Sequence, residues 1–335
     1  MVLTLTALAL GLPLFGTLID QPKMVAESVV QHGKRKLVIG YVQDEDGAPS
    51  FADQVDYSKV THLNIAFANP TDSAGDFSVP PHIDDIVARA HKEKVKVLIS
   101  IGGGMASEDG ALRTNYYALI TNPNRAGFVS KLVKYVDDHN LDGLDVDLEG
   151  PAINKDYEAL VGDLAKALKP KGKLLTAAVS SGYGGDQITA AALSKFDIVN
   201  VMAYDGTGPW NPDRPGQHSS MDMAKDNTNY WIGRGVPKSK LVLGLPFYGY
   251  GFGEAFTKDG YTFSQIVDKF PGAELVDQIG KTIWYNGIPT IQAKTRYALE
   301  QDLAGVMIWS LNQDAKGKQS LLAAIHDAMQ GAVAR

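Results

Sequence analysis

Leu141-Asp142-Gly143-Leu144-Asp145-Val146-Asp147-Leu148-Glu149 alternates apolar and acidic side chains with the period of a β-strand. On a strand, Asp145, Asp147 and Glu149 share one face, and Leu144, Val146 and Leu148 share the other. Burying unpaired charge is costly, so acids packed this closely must share protons, and their pKa values are driven apart. A carboxyl kept protonated near neutral pH by like-charged neighbours is what general acid catalysis requires. Taken alone, the pattern also fits an edge strand with hydrated acids, or a divalent cation site. No His lies in the run, and its spacing is not that of a calcium loop.

Working outward, similar short runs rich in Val and Ile recur along the chain. Before the acidic strand come Leu37–Val42, His62–Phe67 and Val95–Ile101; after it come Leu174–Val179, Ile198–Tyr204, Leu241–Phe247 and Gly305–Trp309. Amphipathic stretches lie between them. The spacing of Ile83, Ile86, Val87 and Ala90 predicts a helix over His82–Lys92, and that of Phe128, Leu132, Val133 and Val136 predicts one over Asn124–His139. A third, Tyr157–Leu168, stops at Lys169-Pro170-Lys171-Gly172. Strand–helix alternation builds a parallel sheet with crossover helices. Eight such strands point to an α/β fold closed into a (β/α)8 TIM barrel; the alternative is an open doubly wound sheet, although the first strand–helix turn lacks a dinucleotide-type glycine fingerprint.

The 335 residues suit one such domain, which typically runs to about 250. We expect the barrel over residues 36–335, with at most a small insertion between its seventh and eighth strands, in Tyr248–Ala304. Residues 1–35 are read as an N-terminal extension. Met1–Ile19 carries no charge and resembles the apolar part of a secretory signal without its basic start. Gly11, Pro13 and Gly16 argue against a spanning helix there. The expectation is an extracellular or periplasmic monomer without stable membrane association. Net charge −6 and the lack of a basic run argue against nucleic acid. With no cysteine, disulfides, thiolate metal sites and a cysteine nucleophile are excluded.

Parity on the other strands gathers further candidates. It groups Asn200, Met202 and Tyr204, with Asp205 next in line; Leu98, Ser100 and Gly102; and Gly305, Met307 and Trp309. Singly, Met202 and Trp309 read as core and Tyr204 as a buried tyrosine with a satisfied hydroxyl. Together with Tyr41, Phe67, Trp210, Tyr248, Trp284 and Tyr285 near strand ends, they read as an aromatic platform for a sugar.

These motifs resemble those of the family 18 glycoside hydrolases, the chitinases and related endo-β-N-acetylglucosaminidases. Asp142-Gly143-Leu144-Asp145-Val146-Asp147-Leu148-Glu149 matches the family's D-G-x-D-x-D-x-E, and Ser100-Ile101-Gly102-Gly103 its S-x-G-G. Met202-Ala203-Tyr204-Asp205 matches M-x-Y-D, and Gly305–Trp309 its tryptophan-ended last strand. The resemblance implies Glu149 as proton donor, Asp147 orienting the substrate's acetamido group, Asp145 sharing a proton with Asp147, and Tyr204 holding the acetamido oxygen. Asp205, Met202, Tyr41, Phe67, Gly103, Trp210, Tyr248 and the floor residue Trp309 become expected sugar contacts. The implied substrate is chitin or another N-acetylglucosamine oligosaccharide, with no metal or organic cofactor. Leu148 departs from the Trp that many chitinases carry before the catalytic Glu, which leaves N-glycan cores as an alternative substrate. A catalytically inactive, lectin-like barrel is the other alternative.

Overall fold

Eight parallel strands close into a barrel in the computed structural model, which describes residues 36–333. In chain order they are β1 (Leu37–Gln43), β2 (His62–Ala66), β3 (Lys96–Gly102), β4 (Gly143–Asp147), β5 (Leu174–Val179), β6 (Ile198–Val201) and β7 (Leu241–Pro246), closed by the last strand, Gly305–Trp309. Between β7 and that strand lie β8 (Tyr248–Gly251), β9 (Tyr261–Thr262), β10 (Gln278–Ile279) and β11 (Ile283–Trp284), so the closing strand is β12. The helices are α1 (Ile83–Lys92), α2 (Gly104–Glu108), α3 (Gly110–Ile120), α4 (Asn122–Asp138), α5 (Tyr157–Leu168), α6 (Ala190–Lys195), α7 (Met221–Gly233), α8 (Phe263–Lys269), α9 (Ile288–Glu300) and α10 (Leu321–Val333). Among the described residues no helix is long and apolar enough to cross a membrane. The expected extension over residues 1–35 lies outside the described residues.

The expected (β/α)8 barrel is therefore present, and β5 and β12 have the bounds read from sequence. Helix α4 begins before the expected Asn124, because Pro123 fits a first helical turn, where its missing N–H costs nothing. Helix α5 stops at Leu168; a 3-10 turn over Lys169–Lys171 leads to Gly172 in the left-handed region. Strand β6 is shorter than the expected Ile198–Tyr204. The Met202 N–H still donates to Val179 of β5, but the Ala203 N–H bonds back to the Val201 carbonyl, a tight turn that takes Ala203–Asp205 out of the sheet.

The alternation on β4 turns its apolar side chains toward the helices. Leu144, Val146 and Leu148 join the layer between strands and helices. A smaller cluster fills the barrel itself, with Ile39, Tyr41, Ala178, Met202, Tyr204 and Met307 among its members. The small insertion expected after β7 is an antiparallel sheet in the order β10-β11-β8-β9, with α8. In β8 the glycines face neighbouring backbone: a side-chain carbon at Gly249 would meet the Trp284 carbonyl oxygen at 2.4 Å. Tyr248 and Tyr250 occupy the opposite face.

Gly102 ends β3 at φ +105°, paired with Asp147 of β4. A Cβ there would lie 2.4 Å from the Asp147 carbonyl oxygen, which already accepts the Gly103 N–H at 2.7 Å. Gly102→Ala is expected to destabilise the fold by about 2–3 kcal/mol in urea denaturation. Stability indistinguishable from the parent would contradict this account of the β3–β4 junction.

Candidate active site

Strand register sets the innermost layer of the site. Ser100, Asp145 and Thr176 are level across β3, β4 and β5. The fully buried Asp145 carboxylate accepts hydrogen bonds from Tyr41 Oη (2.7 Å), Ser100 Oγ (2.8 Å), Thr176 Oγ1 (2.5 Å) and Asn200 Nδ2 (3.4 Å). Burial raises its pKa, and the surrounding donors pull it back. All four donors are neutral groups on other strands.

One layer further toward the strand ends, Asp147 is 4% exposed, and its Oδ1 has no hydrogen-bond partner among the described residues. Burial first, then the charges of Glu149 and Asp145, push its pKa well above the carboxylate range. Glu149 stands two residues beyond the end of β4, at the C-terminal mouth of the barrel, and is partly exposed. Burial, followed by the charges of Asp205 and Glu108, pushes its pKa up to about 7. The three acids of one face thus have different surroundings, from the caged Asp145 to Glu149 at the mouth.

Beyond the turn that ends β6, Tyr204 is buried, its ring edge-on to Tyr248 at 6.1 Å and its hydroxyl 3.8 Å from Met307 Sδ. Burial and the surrounding carboxylates hold that phenol far above its usual pKa, so it stays a proton-bearing donor. Asp205 follows at φ +63°, a conformation that Asp tolerates better than most residues. Its Oδ1 accepts from the hydroxyls of Tyr248 and Tyr250. The Asp205 N–H points at His218 Nδ1 (3.4 Å), so the His218 proton lies on Nε2, which donates to the Tyr248 carbonyl at 3.3 Å.

The aromatic platform is partly as expected. The Trp309 ring lies 5.3 Å from Tyr41 and 5.8 Å from Phe67. Gly103, at φ +71°, leaves the space in which the Phe67 ring packs. Trp210 is 61% exposed and meets Tyr250 edge-on at 5.3 Å. Met202 is buried in the inner cluster. Tyr41 needs correction as a sugar contact: it is sealed inside the barrel with its hydroxyl on Asp145 and supports the site from within. Tyr285 also leaves the platform, since it is buried with its hydroxyl on the Ala273 carbonyl. Trp284 packs edge-on against Phe252 in the insertion.

Sequence reasoning did not single out Thr176, Tyr250, His218 or Glu108. Thr176 alone was within reach, as the inward residue of β5 by the same parity. Leu148, the departure noted above, is buried on the helix side and does not line the site. Among the described residues no cluster of His, Asp and Glu has the arrangement of a metal site.

Comparison with known proteins adds four findings. The sequence pattern described as "Glycosyl hydrolases family 18" matches residues 37–314. The chain is similar to the GH18 chitinase ChiB of Flavobacterium johnsoniae, with 40% identity, 89% of this chain and 95% of that chain covered, and a TM-score of 0.82. It is similar to a plant class V chitinase mutant from Cycas revoluta in complex with (GlcNAc)3, with 25% identity, 88% and 99% covered, and a TM-score of 0.73. It is also 28% identical to probable chitinase 10 of Drosophila melanogaster over 81% of this chain, but spans 14% of that protein.

The raised pKa of Glu149 has a consequence for stability. Unfolded, a Glu titrates near about 4.3; folded, Glu149 titrates at about 7. Between these values the native state binds the extra proton, so stability falls as pH rises from about 4.3 to 7 and then levels off. Glu149→Gln removes that loss. Calorimetry should show a melting temperature raised by a few degrees relative to wild type at pH 8, with little change at pH 4.5; an equal shift at both would contradict it.

Proposed function

We propose a reaction that starts from one fact: this chain belongs to the family 18 glycosyl hydrolases. The proposed activity is hydrolysis of β-1,4-linked N-acetylglucosamine polymers, with the substrate's own acetamido group as nucleophile. The observation that carries it is the acid face of β4: Asp145 caged by four donors, Asp147 pushed well above the carboxylate range, and Glu149 at about 7 at the barrel mouth.

Glu149 gives its proton to the glycosidic oxygen as the bond from C1 to that oxygen breaks. The acetamido carbonyl oxygen closes onto C1 from the opposite face, giving an oxazolinium ion; such substrate assistance stands apart from the usual two-carboxylate scheme. Asp147, two residues beyond Asp145 on the same face of β4, passes its proton to Asp145 as the ion forms, orients the acetamido N–H and balances the positive charge. The proton of the Asp145–Asp147 pair resides mainly on Asp147 at rest, because only Asp145 has a full set of donors. The Tyr204 hydroxyl holds the acetamido oxygen, Asp205 contacts the same sugar, and Trp309 forms its floor. Glu149, now a carboxylate, takes a proton from water as that water attacks C1, so the product retains its anomeric configuration.

The small insertion of β8–β11 and α8 supports an open groove and internal cuts with limited processivity. The uncharged Met1–Ile19 supports an extracellular or periplasmic location, and the site needs no second subunit. Leu148 is buried on the helix side and does not line the site, which supports the chitin reading.

The test sets chitotetraose beside a high-mannose glycopeptide, for wild type and Glu149→Gln. We expect cleavage of chitotetraose, a loss of roughly 10²–10⁴-fold in Glu149→Gln, and no turnover of a deacetylated analogue. Cleavage of the glycopeptide alone would move the assignment to N-glycan cores. Binding without cleavage by wild type would make the protein a lectin. Because Glu149 must be protonated to act first, kcat/KM should fall as pH rises through about 7; a profile flat to pH 9 would remove Glu149 from the role of acid.

A further inference from the structure

Lys294, on α9, is fully buried, and its ammonium makes no ion pair among the described residues. Its three N–H donors go to neutral oxygens: the Ser219 carbonyl (2.6 Å), Ser219 Oγ (2.7 Å) and Asn286 Oδ1 (2.6 Å). Burial lowers its pKa to about 7, against a smaller opposing pull from Asp277. An apolar side chain of the same length would fill that space at much lower desolvation cost. What the lysine adds is a fixed position for the oxygens it holds.

Those oxygens lead to the site. Ser219 Oγ, which accepts from Lys294, donates to the Ala203 carbonyl at 2.6 Å, and Ala203 directly precedes Tyr204. The Ser219 carbonyl also accepts from Asn286 Nδ2 at 3.0 Å, which ties the loop to the end of the insertion. The residue before it, His218, accepts the Asp205 N–H, donates to the Tyr248 carbonyl and accepts the Gly206 N–H at its own carbonyl. Gln217 Nε2 donates to the Tyr285 carbonyl at 2.6 Å. Three consecutive residues thus clamp the segment carrying Tyr204 and Asp205 between the barrel and the insertion, and Lys294 holds the clamp from behind.

We propose that Lys294 is a positioning residue that fixes Tyr204 and Asp205 against the reacting sugar through Ser219. The inference rests on the substrate-assisted reading above. Holding the acetamido oxygen is a matter of geometry in the transition state, where a misplacement of about 1 Å can cost on the order of 100-fold. The effect therefore belongs in kcat more than in KM.

The experiment compares wild type, Lys294→Met, Tyr204→Phe and the double variant on chitotetraose, with amide hydrogen exchange on wild type and Lys294→Met. We expect kcat for Lys294→Met to fall roughly 10–100-fold with KM within threefold of wild type. In the Tyr204→Phe background the same change should cost less than in wild type, because one of the two groups it positions is gone. Exchange at the Asp205 and Gly206 amides should accelerate at least tenfold, with β1–β3 unchanged. Ser219→Ala breaks the link to Ala203 while leaving the lysine in place, and should lower kcat about three- to tenfold; it carries the test if Lys294→Met does not fold. Wild-type kcat in both single variants, or an equal loss in both Tyr204 backgrounds, would overturn the proposal. A wild type inert toward chitotetraose would instead overturn the hydrolase reading. The exchange rates would still decide the positioning role, and unchanged exchange at Asp205 and Gly206 would end it.

Discussion

The carboxylate of Asp145, fully buried and surrounded by three hydroxyls and an amide, is the interaction on which the rest of the site depends. A hydrogen bond to a charged group contributes about 1.5–3 kcal/mol, enough in aggregate to make a charge tolerable inside an apolar barrel. The donors come from β1, β3, β5 and β6, so the cage also ties the barrel together across its interior. With a negative charge stabilised there, the next carboxyl along β4 titrates in its field. Asp147 lacks such donors, and its pKa is pushed well above the carboxylate range, while burial and the charges of Asp205 and Glu108 bring Glu149 to about 7.

The opposite wall of the site is made differently. Strand β6 ends in a tight turn, and beyond it Tyr204 and Asp205 are held by side chains rather than by sheet hydrogen bonds. Asp205 is fastened by Tyr248 and Tyr250 from the insertion and by His218 from its own loop. The insertion therefore shapes the site by contact with Asp205, although it contributes little mass. One wall is rigid because it is barrel strand; the other is as rigid as its buried polar clamp, of which Lys294 is the rear anchor.

Much of this was legible in the sequence because strand parity is local. The alternation of Leu144, Val146 and Leu148 with Asp145, Asp147 and Glu149 was enough to place the acids inward and the aliphatics against the helices. What parity cannot give is register. That Ser100 and Thr176 are level with Asp145 depends on how β3 and β5 are offset from β4, and nothing within one strand records the offset. For the same reason Tyr41 was read as a rim aromatic, when its hydroxyl reaches inward to Asp145. The strands of the insertion, two to four residues long, are too short for a period of two to show. Lys294 is the extreme case. A lysine on a helix reads as solvated, and only tertiary packing reveals that it is sealed in with three neutral oxygens.

The central claim is that burial at the barrel mouth, with the charges of Asp205 and Glu108 beside it, leaves Glu149 protonated near neutral pH. Its most direct test is a carbon-13 NMR titration of protein labelled at the glutamate side-chain carboxyls, with Glu149→Gln used to assign the resonance. The account predicts a Glu149 carboxyl transition near pH 7. A transition near the ordinary glutamate value of about 4.3 would contradict it.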